Sequence, residues 1–490
     1  MKIASICTVA SVAAAAKAKF SLDLNHAYET RAMDVKVHIK FNTDVAALNA
    51  AAAGAADPHQ AVFDHLTKVT KASETLLRSV VGASATIESL WVAQSFLVKM
   101  DKDTAAAVAA LDQVTYLDVN SKIDLVDFIQ KPQEVASATP DKVEWGIDAI
   151  GAPSIWKYFK GKGVVVGSID TGALATHEAI KANWRADKGW FDPYDQTATP
   201  YDSQGHGSHT IGTMVGANGI GVAPEAQWIS CMGLKGKSGS TANLLKCAQF
   251  MLCPTKTDGT DADCKKGVDV VNNSWGRPTS VYDPYFETSI AAWKAANITP
   301  IFSNGNSGPV CKSTGIPGGY TTVISVGAIG SGENDPTALA YFSSKGSATS
   351  VDPLTGQTVT LVKPDVSAPG YWTRSVAIKT NSSYADNAGT SMAAPHVSGV
   401  VALLKSANKT LTYDQIFKYL TKTTEQKVLN TTEPAIWQTP FGPNPTEPGA
   451  PNCGDVKDTV WPNNRFGHGR VDVGTILRDG TLHDTRRDAC

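Results

Sequence analysis

Gly163-Val164-Val165-Val166-Gly167-Ser168-Ile169-Asp170-Thr171-Gly172 is a short β-branched run that ends in a carboxylate and then a glycine turn. Apolar without alternation, it predicts a strand buried on both faces, with Asp170 delivered at its carboxyl end. Similar runs follow at Gln227 to Met232, Val268 to Asn273, Thr299 to Phe302 and Thr322 to Val326, separated by helical segments. Strands alternating with helices predict an α/β fold, a parallel sheet with helices on both faces. Ligands of such sheets sit beyond the carboxyl ends of the strands, so Asp170, Ser274 and Asn306, each just after a run, are directed toward one cleft.

Two further contexts supply chemistry. Asp202-Ser203-Gln204-Gly205-His206-Gly207-Ser208-His209-Thr210 sets an imidazole between two glycines, which let backbone and substrate approach closely. Gly389-Thr390-Ser391-Met392-Ala393-Ala394-Pro395-His396 precedes a long run of small and apolar residues, Val397 to Leu404. Ser391 is therefore predicted at the start of a buried helix, where unpaired amides and the helix dipole favour negative charge. A serine hydroxyl is a weak nucleophile at neutral pH, so a base must take its proton and return it to the leaving group. His206 is suited to that role, with Asp170 holding its tautomer and stabilising its cation. Acyl transfer to such a serine creates an oxyanion, which needs preorganised donors. The Ser391 backbone N–H is one candidate.

Asp170-Thr171-Gly172, His206-Gly207-Ser208-His209 and Gly389 to Pro395 resemble the D-[ST]-G, H-G-[ST]-H and G-T-S-M-A-x-P signatures of subtilisin-type serine proteases. The chain order Asp, His, Ser separates that family from chymotrypsin-like enzymes and α/β-hydrolases. The resemblance implies a subtilisin-like fold and hydrolysis of internal peptide bonds through an acyl-enzyme on Ser391, with Asp170 and His206 completing a triad. Phe302-Ser303-Asn304-Gly305-Asn306-Ser307-Gly308-Pro309 resembles the family's A-G-N-x-G segment. Asn306 aligns with the oxyanion residue, whereas Asn304 stands where a small residue is usual and reads as a turn residue.

The same resemblance suggests the substrate contacts. Asn273-Ser274-Trp275-Gly276 is similar to the strand that pairs with the substrate backbone, and Gly315-Ile316-Pro317-Gly318 to the floor of the primary specificity pocket. Ser274, Trp275, Gly276 and Gly315 are the expected substrate-binding residues, with Trp275 either narrowing an adjacent pocket or simply packing. Neither segment carries an acidic side chain, so a large or apolar residue, rather than a basic one, is expected before the scissile bond. His209 and His396 read as packed structural imidazoles and Met392 as an oxidation site. Pro395 is expected to be tolerated because the first helical turn has spare N–H groups.

The 490 residues are 42% hydrophobic and 18% charged, with a net charge of −2. That balance offers nothing to nucleic acid or to an anionic membrane. Lys2, an apolar stretch from Ile3 to Ala16 and Ala16-Lys17-Ala18 form an export signal over residues 1–18, so a secreted, extracellular protein is expected. Signal removal takes Cys7 and leaves Cys231, Cys247, Cys253, Cys264, Cys311, Cys453 and Cys490, an odd set that leaves one thiol free or paired between molecules. Cys253 and Cys264 bracket a polar loop and are the first choice for a local bridge.

Residues 19–135 have their own pattern. Asp34 to Phe41 alternates as a half-buried strand would, and Asp57-Pro58 opens a helix with Val62, Leu66, Val69, Leu76 and Val80 on one face. A strand region at Leu90 to Met100, a helix at Asp103 to Gln113 and a strand at Thr115 to Val119 complete a small α+β (ferredoxin-like) module. It resembles a subtilisin propeptide, an intramolecular folding aid and inhibitor. The boundary is expected in Ile129 to Asp141, where both periodicities break. Residues 136–490 then form the catalytic domain with a short C-terminal tail: Trp145 to Pro153 resembles the start of a mature subtilisin, and Phe466 to Asp472 the family's terminal motif. The Pro-rich Thr439 to Pro451 reads as a surface insertion. Expected partners are protein and peptide substrates and the chain's own propeptide, with a monomeric enzyme.

No cofactor is expected. The family's calcium loop is compressed here to Val215-Gly216-Ala217-Asn218-Gly219-Ile220-Gly221-Val222, with one polar side chain, and calcium needs six to eight oxygens. Asp258, Asp261 and Asp263 form an alternative calcium cluster with weak support. Asn297, Asn381, Asn408 and Asn430 open glycosylation sequons; Asn272 also does but falls at the cleft and is discounted. A catalytically dead relative would lack a triad or oxyanion residue, and none is missing. A lipase would need a G-x-S-x-G elbow, but Ala393 stands where its second glycine belongs.

Overall fold

The computed structural model describes residues 19–30, 34–125, 129–130, 142–332, 335–435, 437 and 449–486. The export signal, Cys490, most of the expected processing boundary and most of the Pro-rich insertion lie outside them.

The N-terminal module contains α1 (Leu22–Thr30), β1 (Val35–Phe41), α2 (Val45–Ala52), α3 (Pro58–Val81), β2 (Ile87–Leu90), β3 (Ser95–Met100), α4 (Lys102–Ala109) and β4 (Val114–Val119). Its four strands pair antiparallel in the order β2-β3-β1-β4. Asp57 caps α3 by accepting from the Gln60 N–H, with Pro58 in the first turn, as the sequence dictates. The buried stripe of α3 is rotated from the expected one: Val62, Leu66, Thr70 and Leu77 are buried, while Val69 is 37% exposed. Thr70 is tolerated inside because its hydroxyl accepts from Gln94 Nε2 at 2.7 Å, a pairing that hydropathy cannot signal. β1 also departs from simple alternation. His38 and Lys40 are buried along with Val37 and Ile39, because the second face of the sheet is covered by the rest of the chain.

Two short strands leave the module, β5 (Lys122–Asp124) and β6 (Ile129–Gln130). The larger body begins with α5 (Trp145–Ala149), β7 (Val165–Asp170), β8 (Trp190–Phe191), α6 (His206–Val215) and β9 (Gln227–Met232). It continues with β10 (Leu234–Lys235), β11 (Ser238–Ser240), α7 (Thr241–Leu252), β12 (Val270–Asn273), α8 (Glu287–Ala295), β13 (Thr299–Ser303) and β14 (Ile324–Ile329). The hairpin β15 (Ala348–Val351) with β16 (Thr358–Leu361), then β17 (Val366–Pro369), β18 (Thr373–Val376), β19 (Tyr384–Ala388), α9 (Thr390–Ala407) and α10 (Tyr413–Lys422) follow.

Seven strands, all parallel, lie in the order β17-β14-β13-β12-β7-β9-β8. The five runs read from the sequence are its centre. The edge strands β17 and β8 were not anticipated: Val366-Ser367-Ala368-Pro369 and the two-residue Trp190-Phe191 are too short or too mixed to carry a periodicity. Successive side chains feed opposite faces. Val166, Val270 and Ile301 join a core with Met214 and Val400 from α6 and α9, while Ile169, Val271 and Phe302 join one with Leu244 and Trp293 from α7 and α8. Leu48, Val62 and Leu97 of the N-terminal module pack into the second core, so the module docks on the α7–α8 face. Disulfides join Cys231 to Cys247, Cys253 to Cys264, and Cys311 to Cys453. Among the described residues no helix is long and apolar enough to cross a membrane.

Candidate active site

Asp170 ends β7, which pairs with the central strand β12, and is fully buried. His206 opens α6, and its Nδ1–H donates to Asp170 Oδ1 at 2.8 Å with neither side chain exposed. The same carboxylate oxygen accepts from the Thr171 backbone N–H at 2.7 Å, so its lone pairs are directed before the imidazole arrives. His209, one turn on, is buried with Nε2 on Ala385 O at 3.1 Å, and burial pushes its pKa down to about 3. It is a neutral structural ring.

Ser391 is the second residue of α9 and is buried. Pro395 sits sixth in that helix, beyond the turn where a missing N–H costs nothing, so the expected reason for its tolerance is incorrect. A proline leaves the carbonyl four residues earlier without its helical donor, and that carbonyl belongs to Ser391. Ser274 Oγ takes the place, donating to Ser391 O at 2.9 Å. Ser274 Oγ in turn accepts from Asn272 Nδ2 at 3.0 Å, and Ser398 Oγ donates to Asn272 Oδ1 at 3.0 Å. The relay ties the helix carrying Ser391 to the end of β12. Ser391 Oγ lies 3.3 Å from Ser274 O. Asn272 is wholly buried, which agrees with discounting its sequon.

The two asparagines of the glycine-rich segment separate cleanly. Asn304 is buried and held at both ends, donating to Ser344 O at 2.6 Å and accepting from Ser325 Oγ at 2.8 Å. Asn306 is only partly buried. Its Oδ1 accepts from the Thr390 N–H at 2.8 Å and from Thr390 Oγ1 at 2.7 Å. Both bonds fix the carbonyl end of Asn306 on the residue preceding Ser391.

The expected substrate segments face each other. Arg277 N donates to Ile316 O at 2.8 Å and Ile316 N to Arg277 O at 3.1 Å. Gly276 and Gly315 are required by that approach, since a Cβ on Gly276 would lie 2.6 Å from Ile316 O and one on Gly315 2.7 Å from Arg277 O. Trp275 is 2% exposed and packs edge-on against Phe286 and Phe302 with ring centroids 5.2 and 5.4 Å away.

The acidic loop does not fit a calcium ion. Asp258 accepts from Thr260 N and Oγ1, Asp261 pairs with Lys188 and Lys256, and Asp263 caps the Lys265 N–H. Asn218 of the compressed loop donates to the Tyr384 hydroxyl. Among the described residues, no three His, Cys, Asp or Glu side chains converge as metal ligands.

Thr171, Asp202, Asn272 and Thr390 are polar residues of the site that sequence reasoning missed. Thr171 and Thr390 stand inside the D-[ST]-G and G-T-S-M-A-x-P motifs, which is the signal they gave, but the motifs by themselves assigned them no role.

The model of the subtilase family matches residues 161–469. Bacillopeptidase F of Bacillus subtilis (strain 168) is 34% identical over 372 residues, covering 70% of this chain and 25% of that protein. The chain thus spans a quarter of that relative's length. An intracellular serine protease of Paenibacillus polymyxa is 29% identical, with 62% of this chain and 86% of that protein covered. Among solved structures, fervidolysin from Fervidobacterium pennivorans, a keratinolytic enzyme related to subtilisin, aligns over 90% of this chain and 60% of that one with a TM-score of 0.56. At 19% identity that likeness concerns the fold alone. The parallel sheet, the buried Asp170–His206 pair, Ser391 in the first turn of α9 and the family match converge: this chain belongs to the subtilase family.

Proposed function

We propose that this chain is a serine endopeptidase, made as a self-processing precursor and exported. Ser391 Oγ attacks the peptide carbonyl as His206 Nε2 accepts its proton, forming a C–O bond and a tetrahedral oxyanion. Asn306 Nδ2 and the Ser391 N–H donate to that oxyanion. His206 then protonates the departing amine as the C–N bond breaks, and water repeats the sequence on the acyl-enzyme. Asp170 stays ionised and holds the imidazolium. The single observation that carries this reading is the buried 2.8 Å contact between His206 and Asp170 at the carboxyl end of the sheet.

The path of the chain supports an inhibitory role for the N-terminal module. β5 adds antiparallel to β11, and β6 adds antiparallel to β19, whose Ala388 lies three residues ahead of Ser391. Ile123 and Leu125 sink into the apolar cluster that holds Trp275 and Phe286. Strand addition at both edges is how an extended peptide substrate binds. It favours a cut between Leu125 and Ile129, just upstream of the stretch marked by sequence composition. The buried apolar side chains of Ile123 on β5 and Leu125 just after it support a preference for apolar residues ahead of the scissile bond. Disulfides and the N-terminal signal support export.

Expression of Ser391→Ala tests both parts: an uncleaved precursor without casein hydrolysis is expected, and normal self-processing would remove the nucleophile role. A fluorophosphonate probe should label the wild type after processing and lose that labelling in His206→Ala.

A further inference from the structure

The helix that carries His206 begins at a glycine, so its first amides are capped from elsewhere. Gly205 has a φ of 102°, a left-handed conformation, and no side chain with which to cap α6. Gln204 Oε1 accepts from the His206 N–H at 2.9 Å, and Thr171 Oγ1 accepts from the Gly207 N–H at 2.9 Å. Asp202 Oδ2 accepts from the Ser208 N–H at 2.8 Å and from Ser208 Oγ at 2.6 Å. Its other oxygen, Oδ1, accepts from Thr171 Oγ1 at 2.7 Å, Gly205 N at 2.7 Å and Gln204 N at 3.0 Å. Ser208 Oγ closes the ring by accepting from the Leu174 N–H at 2.8 Å.

One carboxylate therefore gathers five hydrogen bonds from two elements. Thr171 is the residue after Asp170, and its hydroxyl reaches both Asp202 and the helix that begins with His206. The strand bearing the carboxylate and the helix bearing the imidazole are thus linked by polar contacts within one residue of each. We propose that Asp202, acting through Thr171, is a positioning residue that sets the geometry of the Asp170–His206 pair; this rests on the roles assigned to that pair above. A negative charge at a helix N-terminus is favourable, and hydrogen bonds to a carboxylate are strong and directional. Neither Asp202 nor Thr171 is assigned a contact with substrate.

The test uses processed enzyme made from the full-length precursor. Thr171→Val should lower kcat about tenfold or more with KM within about twofold, because small misplacements of catalytic groups are costly. It should also move the acid limb of kcat/KM to lower pH, since a misaligned Asp170 stabilises the imidazolium less. Thr171→Ser, which keeps the hydroxyl, should recover most of the loss. Asp202→Asn, which keeps one acceptor, should fall between wild type and Asp202→Ala. Equal activity of the Val and Ser variants, or a lower kcat with an unmoved acid limb, would overturn the proposal; the Thr171 pair decides it if Asp202→Ala fails to fold. Full activity in Asp170→Asn or His206→Ala would instead overturn the triad beneath it.

Discussion

The N-terminal module and the catalytic body bury polar groups on different terms. In the body, Asp170, His206, Asn272 and Asn304 are buried among partners from the body's own strands and helices. In the module, His38 and Lys40 are buried because another region covers them: Lys40 Nζ donates to Pro284 O, and the His38 ring lies 4.6 Å from that of Tyr285. The body also holds all three disulfides of the described residues. One region owns its interior and the other borrows half of it. The proposed removal of the module fits that difference, since groups that are costly to bury only while docked limit how tightly a cover binds.

The strongest way to break this comparison is to stop the two regions from separating. Ser391→Ala should lower hydrolysis of a peptide substrate by more than about a thousandfold and leave module and body joined in one chain, read by intact mass. A next, smaller effect should leave the fold untouched. Asn306→Ala should reduce kcat by roughly 100-fold to 1,000-fold with little change in KM or melting temperature, because the lost donor acts only on the developing oxyanion.

Cross-linking sharpens the comparison on the stability side. Replacing Cys311 and Cys453 by Ser, which opens a bridge between residues 142 apart in sequence, should cost the processed body about 2–4 kcal/mol in denaturant unfolding. The Cys253–Cys264 bridge, 11 residues apart, should cost less. If the module in the precursor melted in step with the loss of these bridges, its separate character would be wrong.

The smallest expected effect is the module's own share of a pH dependence to which buried His209 and His396 of the body contribute in the same sense. Burial pushes the His38 pKa down to about 3, with Lys40 adding to the shift. The unfolded ring titrates near 6.5, so the docked state binds fewer protons between these values and loses stability as pH falls from about 6.5 toward 3. At pH 5 the loss is about 2 kcal/mol by the usual conversion for a fully buried group. The melting temperature of the Ser391→Ala precursor should drop between pH 7 and pH 5, and His38→Gln should lessen that slope. An unchanged slope in His38→Gln would assign the pH response to other groups.

Much of the catalytic body was legible because its signals are local. A parallel strand buried on both faces must be continuously apolar, so five central strands could be read directly, and Asp170, His206, Asn306 and Ser391 each stand in a short motif whose residue types are fixed by turn geometry or chemistry. The Cys253–Cys264 pair was legible for the same reason, being close along the chain. What could not be read depends on partners distant in sequence. Thr70 is buried by Gln94, the Ser391 carbonyl freed by Pro395 is taken by Ser274, and Asp202 receives a bond from Thr171. Lys36, His38 and Lys40 alternate as a solvent-facing edge should, yet two of the three are buried, because burial is a property of the docked surface. Periodicity along a strand records which residues share a face; only the tertiary structure decides what covers that face.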